Sequence, residues 1–144
     1  GKGAQVFDDY AHNVEKIISC IEAGRELASH RVIALFQPHG FKPFGFMREE
    51  LFSALEKNLR PDDRFILMPV FYAGGSSSFS PTAEEVAAEY RLKTEHAGRY
   101  LTFSARKAAQ DYLHEYSASG DVILVMGARD NSLSNWARTI ARTT

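Results

Sequence analysis

Apolar residues along this chain follow two periods in turn. Short runs rich in Val, Ile, Leu and Phe alternate with stretches that repeat apolar positions at i, i+3, i+4 and i+7, which predicts strands alternating with amphipathic helices from end to end. Gln5–Asp8 reads as a strand, and Asn13 as the N-cap of a helix that lines up Val14, Ile17, Ile18 and Ile21 and reaches Leu27 or Ala28. Arg31–Phe36 is a second strand, ended by Pro38 and Gly40, with Phe41–Gly45 prolonging the loop. Leu51, Phe52, Leu55 and Leu59 mark the next helix, Pro61-Asp62-Asp63 a turn, and Arg64–Met68 a strand that Pro69 stops. Thr82-Ala83-Glu84-Glu85 is a capping box opening a helix through Val86 and Tyr90. A strand near Arg99–Phe103 leads to Ser104 as N-cap of a helix along Ala105, Ala108, Ala109, Tyr112, Leu113 and Tyr116. Gly120 breaks the chain before the strand Asp121–Met126, and Leu133, Trp136, Ala137, Ile140 and Ala141 form the last helical face.

The run Val122–Met126 is apolar without alternation, as expected of a parallel strand covered on both sides. The predicted fold is therefore α/β: doubly wound and Rossmann-like, a mostly parallel sheet of about five to six strands with helices on both faces. With 144 residues, 44% of them apolar and 24% charged, the chain has the size and composition of one globular domain, which excludes disorder, collagen and coiled coil. Lys and Arg number 17 against 18 Asp and Glu, so there is no broad basic field for nucleic acid or an anionic membrane, and a small-molecule partner is expected. The lone Cys20 cannot form an internal disulfide, and neither a membrane-span run nor a signal-peptide core is present, which together predict a cytoplasmic protein. The opening Gly1-Lys2-Gly3, without Met, fits either a piece of a longer protein or removal of an initiator Met.

In a parallel sheet the carboxyl ends of the strands gather on one edge, where ligands bind, so the loops there are the candidates for chemistry. Asp8-Asp9-Tyr10-Ala11-His12-Asn13 joins two carboxylates to an imidazole, a set suited to ribose hydroxyls, to orienting a phosphate or to general-base work; equally, the Asp side chains can satisfy turn amides while His12 packs in the first helical turn. In Gln37-Pro38-His39-Gly40 the imidazole of His39, with Lys42 and Arg48 nearby in sequence, can hold an anion, or His39 can be a structural histidine bonded to backbone. Gly127-Ala128-Arg129-Asp130-Asn131-Ser132 runs into a helix start, which offers free amides to an anion or forms a tight turn capped by Asn131 or Ser132. Neither a G-x-G-x-x-G nor a G-x-x-x-x-G-K-[ST] string occurs, and no ligand spacing for a metal is evident. Val70–Pro81, with Gly74-Gly75 and Ser76-Ser77-Ser78, is expected to be a mobile loop long enough to suspect function. Cys20 and Trp136 read as core residues, and His30, His96 and His114 as ordinary surface or helix-end histidines.

Val6-Phe7-Asp8-Asp9-Tyr10-Ala11-His12-Asn13, then Phe36-Gln37-Pro38-His39, then Gly120-Asp121-Val122-Ile123-Leu124-Val125-Met126-Gly127-Ala128 resemble, in order and spacing, the C-terminal domain of the Mur ligases. The second string is similar to the alanine-adding branch of that family. The resemblance implies an ATP-dependent amide ligase of three domains. A UDP-sugar domain and a P-loop domain would lie upstream, and Mg2+ would be held mostly by the central domain and ATP. The substrates implied are UDP-N-acetylmuramate and an amino acid, L-Ala or a related one, joined through an acyl phosphate. On the same resemblance Asp9 and Asn13 face the nucleotide, Tyr10 and His12 line the reacting centre with His12 as the catalytic candidate, and His39 sits by the amino acid.

The chain departs from the family's pattern at Val14, where Pro is usual, and at Gly40 and Pro43, where the alanine-adding enzymes resemble one another in having Arg. Lys42 or Arg48 is the expected replacement for that charge on the amino acid's carboxylate. A recycling member of the family that attaches a whole tripeptide, and a non-catalytic α/β binding module, are the alternatives. Folylpolyglutamate synthetase shares the architecture and resembles the first string less.

Overall fold

Gln5–Asp9 (β1), Val32–Gln37 (β2), Arg64–Leu67 (β3), Tyr100–Thr102 (β4) and Val122–Gly127 (β5) form a 5-stranded sheet in the order β1-β5-β2-β3-β4, with every pairing parallel. The computed structural model describes residues 3–72, 79–128 and 130–144. Gly74, Gly75, Ser76, Ser77 and Ser78 of the expected mobile loop, Arg129 of the third candidate loop, and Gly1 and Lys2 lie outside the described residues.

The helices are Val14–Leu27 (α1), Phe41–Asn58 (α2), Ala83–Lys93 (α3), Arg106–Tyr116 (α4) and Ser132–Thr143 (α5). Successive β2 side chains point to opposite faces, and both faces are buried: Val32, Ala34 and Phe36 pack under α1, α2 and α3 with Ile17, Ile21, Leu51, Leu55 and Tyr90, whereas Ile33 and Leu35 pack under α4 and α5 with Leu113, Trp136 and Ile140. The uninterrupted apolar strands follow from this double coverage. Each such Ile or Leu contributes about 1.5–3 kcal/mol by leaving water. The doubly wound fold expected from the sequence is the fold found.

Two buried carboxylates lock the amino ends of the strands. Asp63 accepts from the Val32 amide at 2.9 Å, the Arg60 amide at 2.9 Å and Arg25 Nη2 at 2.8 Å. Asp121 accepts from the Arg31 amide at 3.0 Å, Arg31 Nη2 at 2.8 Å and the Ala118 amide at 2.8 Å. Burial alone would raise both carboxyls, but these hydrogen bonds and the guanidinium charges outweigh it and hold them below the ordinary carboxylate range. His30 is exposed just past α1, as expected of a helix-end histidine, and also touches this edge, with Nδ1 2.9 Å from Asp121 Oδ1.

The caps show where local reading succeeds. Asn13 accepts from the Lys16 amide at 2.9 Å, and the Thr82–Glu85 capping box is present with both of its bonds. Three expectations are corrected, and a fourth holds only in part. Phe41–Gly45 is not loop but the first turns of α2: Gly40, at φ 80°, turns the chain sharply into the helix, and Pro43 sits where a missing N–H breaks no intrahelical bond. Ala105, not Ser104, occupies the N-cap of α4, and it makes no side-chain cap bond. On α4 only Ala109 and Leu113 are fully buried while Ala105 and Ala108 face solvent, and on α5 Ala141 is exposed. Asn131 occupies the N-cap of α5 as expected, but its side chain makes no cap bond; the side-chain bond at this start comes from Asp130, whose Oδ1 accepts from the Ser132 amide at 2.9 Å.

Candidate functional site

Chain reversal around β5 creates the site. β1 and β2 lead to α1 and α2 on one face of the sheet, whereas β5, lying between them, leads to α5 on the other, so the chain parts on either side of the β5 carboxyl end. A crevice opens at each parting. The first, about 200 Å3, lies between β1 and β5 and is lined by Asp8, Asp9, Tyr10, Gly127, Asp130 and Ser134. The second, about 310 Å3, lies between β5 and β2 and is lined by His12, Phe36, His39, Pro43, Met47 and Ala128. The three candidate loops thus share one edge, as a parallel sheet requires.

Turn chemistry shapes the first loop. Asp9 Oδ1 accepts from the Ala11 amide at 2.8 Å, which tightens the turn and leaves Oδ2 without a hydrogen-bond partner among the described residues. His12 is exposed, and its Nδ1 lies 3.0 Å from the Tyr10 carbonyl oxygen. A carbonyl can only accept, so in the neutral ring Nδ1 carries the proton and Nε2 keeps its lone pair for a ligand. Tyr10 is 76% exposed, an aromatic ring held over the crevice with little covering it. Asn13 spends its Oδ1 on capping α1.

The second loop supplies His39, whose Nε2 is buried without a hydrogen-bond partner. His12 and His39, far apart in sequence, therefore line one cavity. Lys42 and Arg48 are not brought to it. Lys42 lies on the exposed first turn of α2 with Nζ 5.8 Å from the Phe46 ring centroid. Arg48 turns toward α3, where Nη1 donates to the Gly45 carbonyl at 2.7 Å and Nε lies 3.3 Å from Glu89 Oε2. A contiguous groove of about 470 Å3 continues past His12, Pro43 and Met47 to Glu15 and Glu50.

Sequence reasoning missed the network that closes the edge. Gln37 Nε2 donates to Asp130 Oδ2 at 2.7 Å, Arg106 Nη2 donates to the same oxygen at 2.9 Å and Arg106 Nη1 donates to Ser132 Oγ at 2.9 Å. Partial burial opposes ionisation of Asp130, but the Gln37 and Ser132 bonds and the Arg106 charge prevail and bring its carboxyl down to about 2. This carboxylate occupies the α5 start, the place where the sequence had offered free amides to an anion. Arg106 carries no local signal, because only the crossing from β4 to α4 brings it beside β5.

Cys20 is half-buried on α1, and burial first, then the Asp9 charge, pushes its thiol up to about 11, which fits a packing role. Trp136 is buried, as expected of a core residue, and its Nε1 donates to Gln110 at 2.8 Å. Among the described residues no group of three or more His, Cys, Asp or Glu is placed to hold a metal ion, and no helix is long and apolar enough to cross a membrane.

Known proteins resemble the chain in overall sequence and in fold. The chain is 27% identical over 140 residues to a UDP-N-acetylmuramate–L-alanine ligase of Rhizobium etli, an alignment covering 97% of this chain and 28% of that protein. Its fold matches a murein peptide ligase of Psychrobacter arcticus at TM-score 0.70 and 15% identity, over 99% of this chain and 28% of the other. It also matches a domain from a Haemophilus ducreyi protein described as a putative UDP-N-acetylmuramate:L-alanyl-γ-D-glutamyl-diaminopimelate ligase, at TM-score 0.62 and 16% identity, over 98% of this chain and 94% of the other. The chain thus spans under a third of the L-alanine ligase it matches. A family profile described as "Mur ligase, glutamate ligase domain" fits residues 1–129, and with that match the chain belongs to the Mur ligase family.

Proposed function

We propose that this chain is the closing domain of an ATP-dependent ligase that joins an amino acid to UDP-N-acetylmuramate, with UDP-sugar and P-loop domains upstream. The observation that carries the reading is the meeting of His12 and His39 in one crevice at a chain reversal of the sheet. The described loops hold carboxylates and imidazoles rather than a glycine-rich cradle. They suit hydroxyls and an amine better than a triphosphate, so ATP phosphates and Mg2+ would be gripped by the central domain. ATP supplies the activation, converting the carboxylate of UDP-N-acetylmuramate to an acyl phosphate.

This chain's residues then act on the second half of the reaction. The amine attacks the acyl carbon, inorganic phosphate leaves, and the proton shed by the amine passes to His12 Nε2, the nitrogen left free by the Tyr10 carbonyl. Asp9 Oδ2 accepts from a ribose hydroxyl, with the Asn13 amide group beside it, and Tyr10 shields the reacting centre. His39 binds the incoming amino acid. Lys42 does not line the crevice, but its charge sits on a flexible, exposed stem at the α2 start, without an ion-pair partner among the described residues, and it swings to the amino acid's carboxylate. Arg48 is committed to Glu89 and takes no part.

A second reading is favoured by the groove that runs on to Glu15 and Glu50. It is long enough for a peptide acceptor and acidic enough for one with a second ammonium group, as in the tripeptide-recycling reaction. Phosphate release by the full-length protein with ATP, Mg2+ and UDP-N-acetylmuramate, compared between single amino acids and the tripeptide L-Ala-γ-D-Glu-diaminopimelate, tests both. Turnover with L-Ala or a related amino acid supports the first reading, turnover with the tripeptide alone supports the second, and turnover with none overturns the ligase.

A further inference from the structure

A buried polar atom without a partner is disfavoured, and a side chain free to turn toward water would do so. His39 does not turn, although its Nε2 is buried and unpartnered. The reason lies in a segment beyond β3. The Phe71 amide donates to the Pro38 carbonyl at 2.7 Å and the Gly40 amide donates to the Phe71 carbonyl at 3.0 Å, which makes a parallel bridge between His39 and Phe71. The two rings lie 5.8 Å apart at 34°. Phe71 thus fixes both the backbone from which the imidazole springs and one side of the ring itself.

The strap is anchored on its far side by three further rings. Phe41 lies 5.8 Å from Tyr72 and 5.8 Å from Phe79, and Tyr72 lies 5.0 Å from Phe79. Phe41 is the first residue of α2, so these rings join the Phe71–Tyr72 strap to the helix start that follows His39.

We infer that Phe71 is a positioning residue of the acceptor site: it holds His39 with Nε2 unsatisfied, so that the incoming amine substrate supplies the missing hydrogen bond. The substrate half of this statement rests on the ligase reading above. Ordering the imidazole in advance removes part of the cost of binding. Phe71 touches no reacting atom and acts through His39.

The test uses the full-length protein and the variants Phe71→Ala, Phe71→Leu and Phe71→Tyr. The Hε1 signal of His39, assigned by its loss in His39→Gln, is followed by NMR with a soluble gadolinium agent that broadens solvent-exposed protons, and amine KM, ATP KM and kcat are measured in parallel. Phe71→Ala is expected to broaden the signal and raise amine KM about 10-fold with ATP KM and kcat unchanged, as for loss of ground-state positioning. Phe71→Tyr restores both, and Phe71→Leu, which keeps apolar volume without the flat ring, falls between. A His39 signal as shielded in Phe71→Ala and Phe71→Leu as in the parent, or exposure with an unchanged amine KM, overturns the proposal. If no amine is joined at all, the ligase reading falls by itself, and the shielding measurement still decides whether Phe71 holds His39.

Discussion

Arg106 Nη2 lies 2.9 Å from Asp130 Oδ2, and this ion pair ties the start of α4 to the loop that leaves β5. Asp130 also receives Gln37 at the end of β2, so one carboxylate joins three segments of the carboxyl edge. Its side chain is only 14% exposed, and a lone buried charge costs more than the pair gains. Arg106→Met, which keeps an apolar stem but removes the guanidinium that bonds Asp130 and lies over Trp136, is therefore expected to cost about 1–3 kcal/mol. Asp130→Ala should cost at least as much, because it also removes the side-chain bond at the α5 start. Thermal or urea unfolding checks both, and a double variant less destabilised than the sum of the singles would show the coupling.

Acid should weaken the fold in a definite window. Asp130, Asp63 and Asp121 are all held below the usual carboxylate range in the folded state, Asp130 at about 2. A depressed folded-state pKa contributes stability that is fully present above the unfolded value of about 3.9 and is lost as pH falls through the folded value. Tm should therefore stay flat from pH 7 to about 5 and fall steeply between about 4 and 2. Asp130→Asn should show a shallower fall, and the gap between it and the parent should narrow toward pH 2. Equal slopes would mean that the Asp130 carboxyl is not held below its unfolded-state value in the folded protein.

Lys42 and Arg48 should separate cleanly. Both were expected from their place in the sequence to hold the acceptor's carboxylate, but Arg48 bonds the Gly45 carbonyl and faces Glu89, while Lys42 stays in solvent at the α2 start. Lys42→Ala is expected to raise amine KM about 10-fold, ~1.4 kcal/mol of lost binding, with little change in Tm. Arg48→Ala is expected to lower Tm by a few degrees, for about 0.5–1 kcal/mol of lost packing and hydrogen bonding, with amine KM unchanged. Steady-state kinetics beside melting curves checks the split, and an unchanged amine KM in Lys42→Ala would remove it from the site.

What the sequence made legible was local or periodic. Helix faces, the Asn13 cap and the Thr82–Glu85 box depend on residues a turn apart, and the parallel sheet on strands such as Val122–Met126 that are apolar on both sides. The juxtaposition of Asp9, His12 and His39 on one edge followed from the fold class alone. The rest depended on contacts distant in sequence. The start of α2 was misread because Gly40 and Pro43 look like loop residues until one sees Phe44 buried in the core. Arg106 and Phe71 were missed because a bridge to β2 or an ion pair across β5 leaves no spacing to detect. Arg48 was misdirected because nearness in sequence to His39 says nothing about which side of a helix an arginine leaves.

Gly45 tests whether the walls of the crevice depend on a close approach. A Cβ at this position would meet Pro81 Cδ at 2.9 Å, and a proline ring offers no flexible end to move aside. Ala is favoured over Gly in a helix interior by up to about 1 kcal/mol, so propensity alone predicts that Gly45→Ala stabilises α2. The contact opposes this. Since α2 carries Pro43 and Met47 into the crevice, pushing its first turns off Pro81 should both lower Tm and raise amine KM. Gly98 is the control, because a Cβ there meets nothing within 4 Å, and Gly98→Ala should leave both quantities unchanged or raise Tm slightly. A Gly45→Ala protein that melts higher than its parent with unaltered amine KM would show that the α2 start yields to Pro81 without moving the crevice walls.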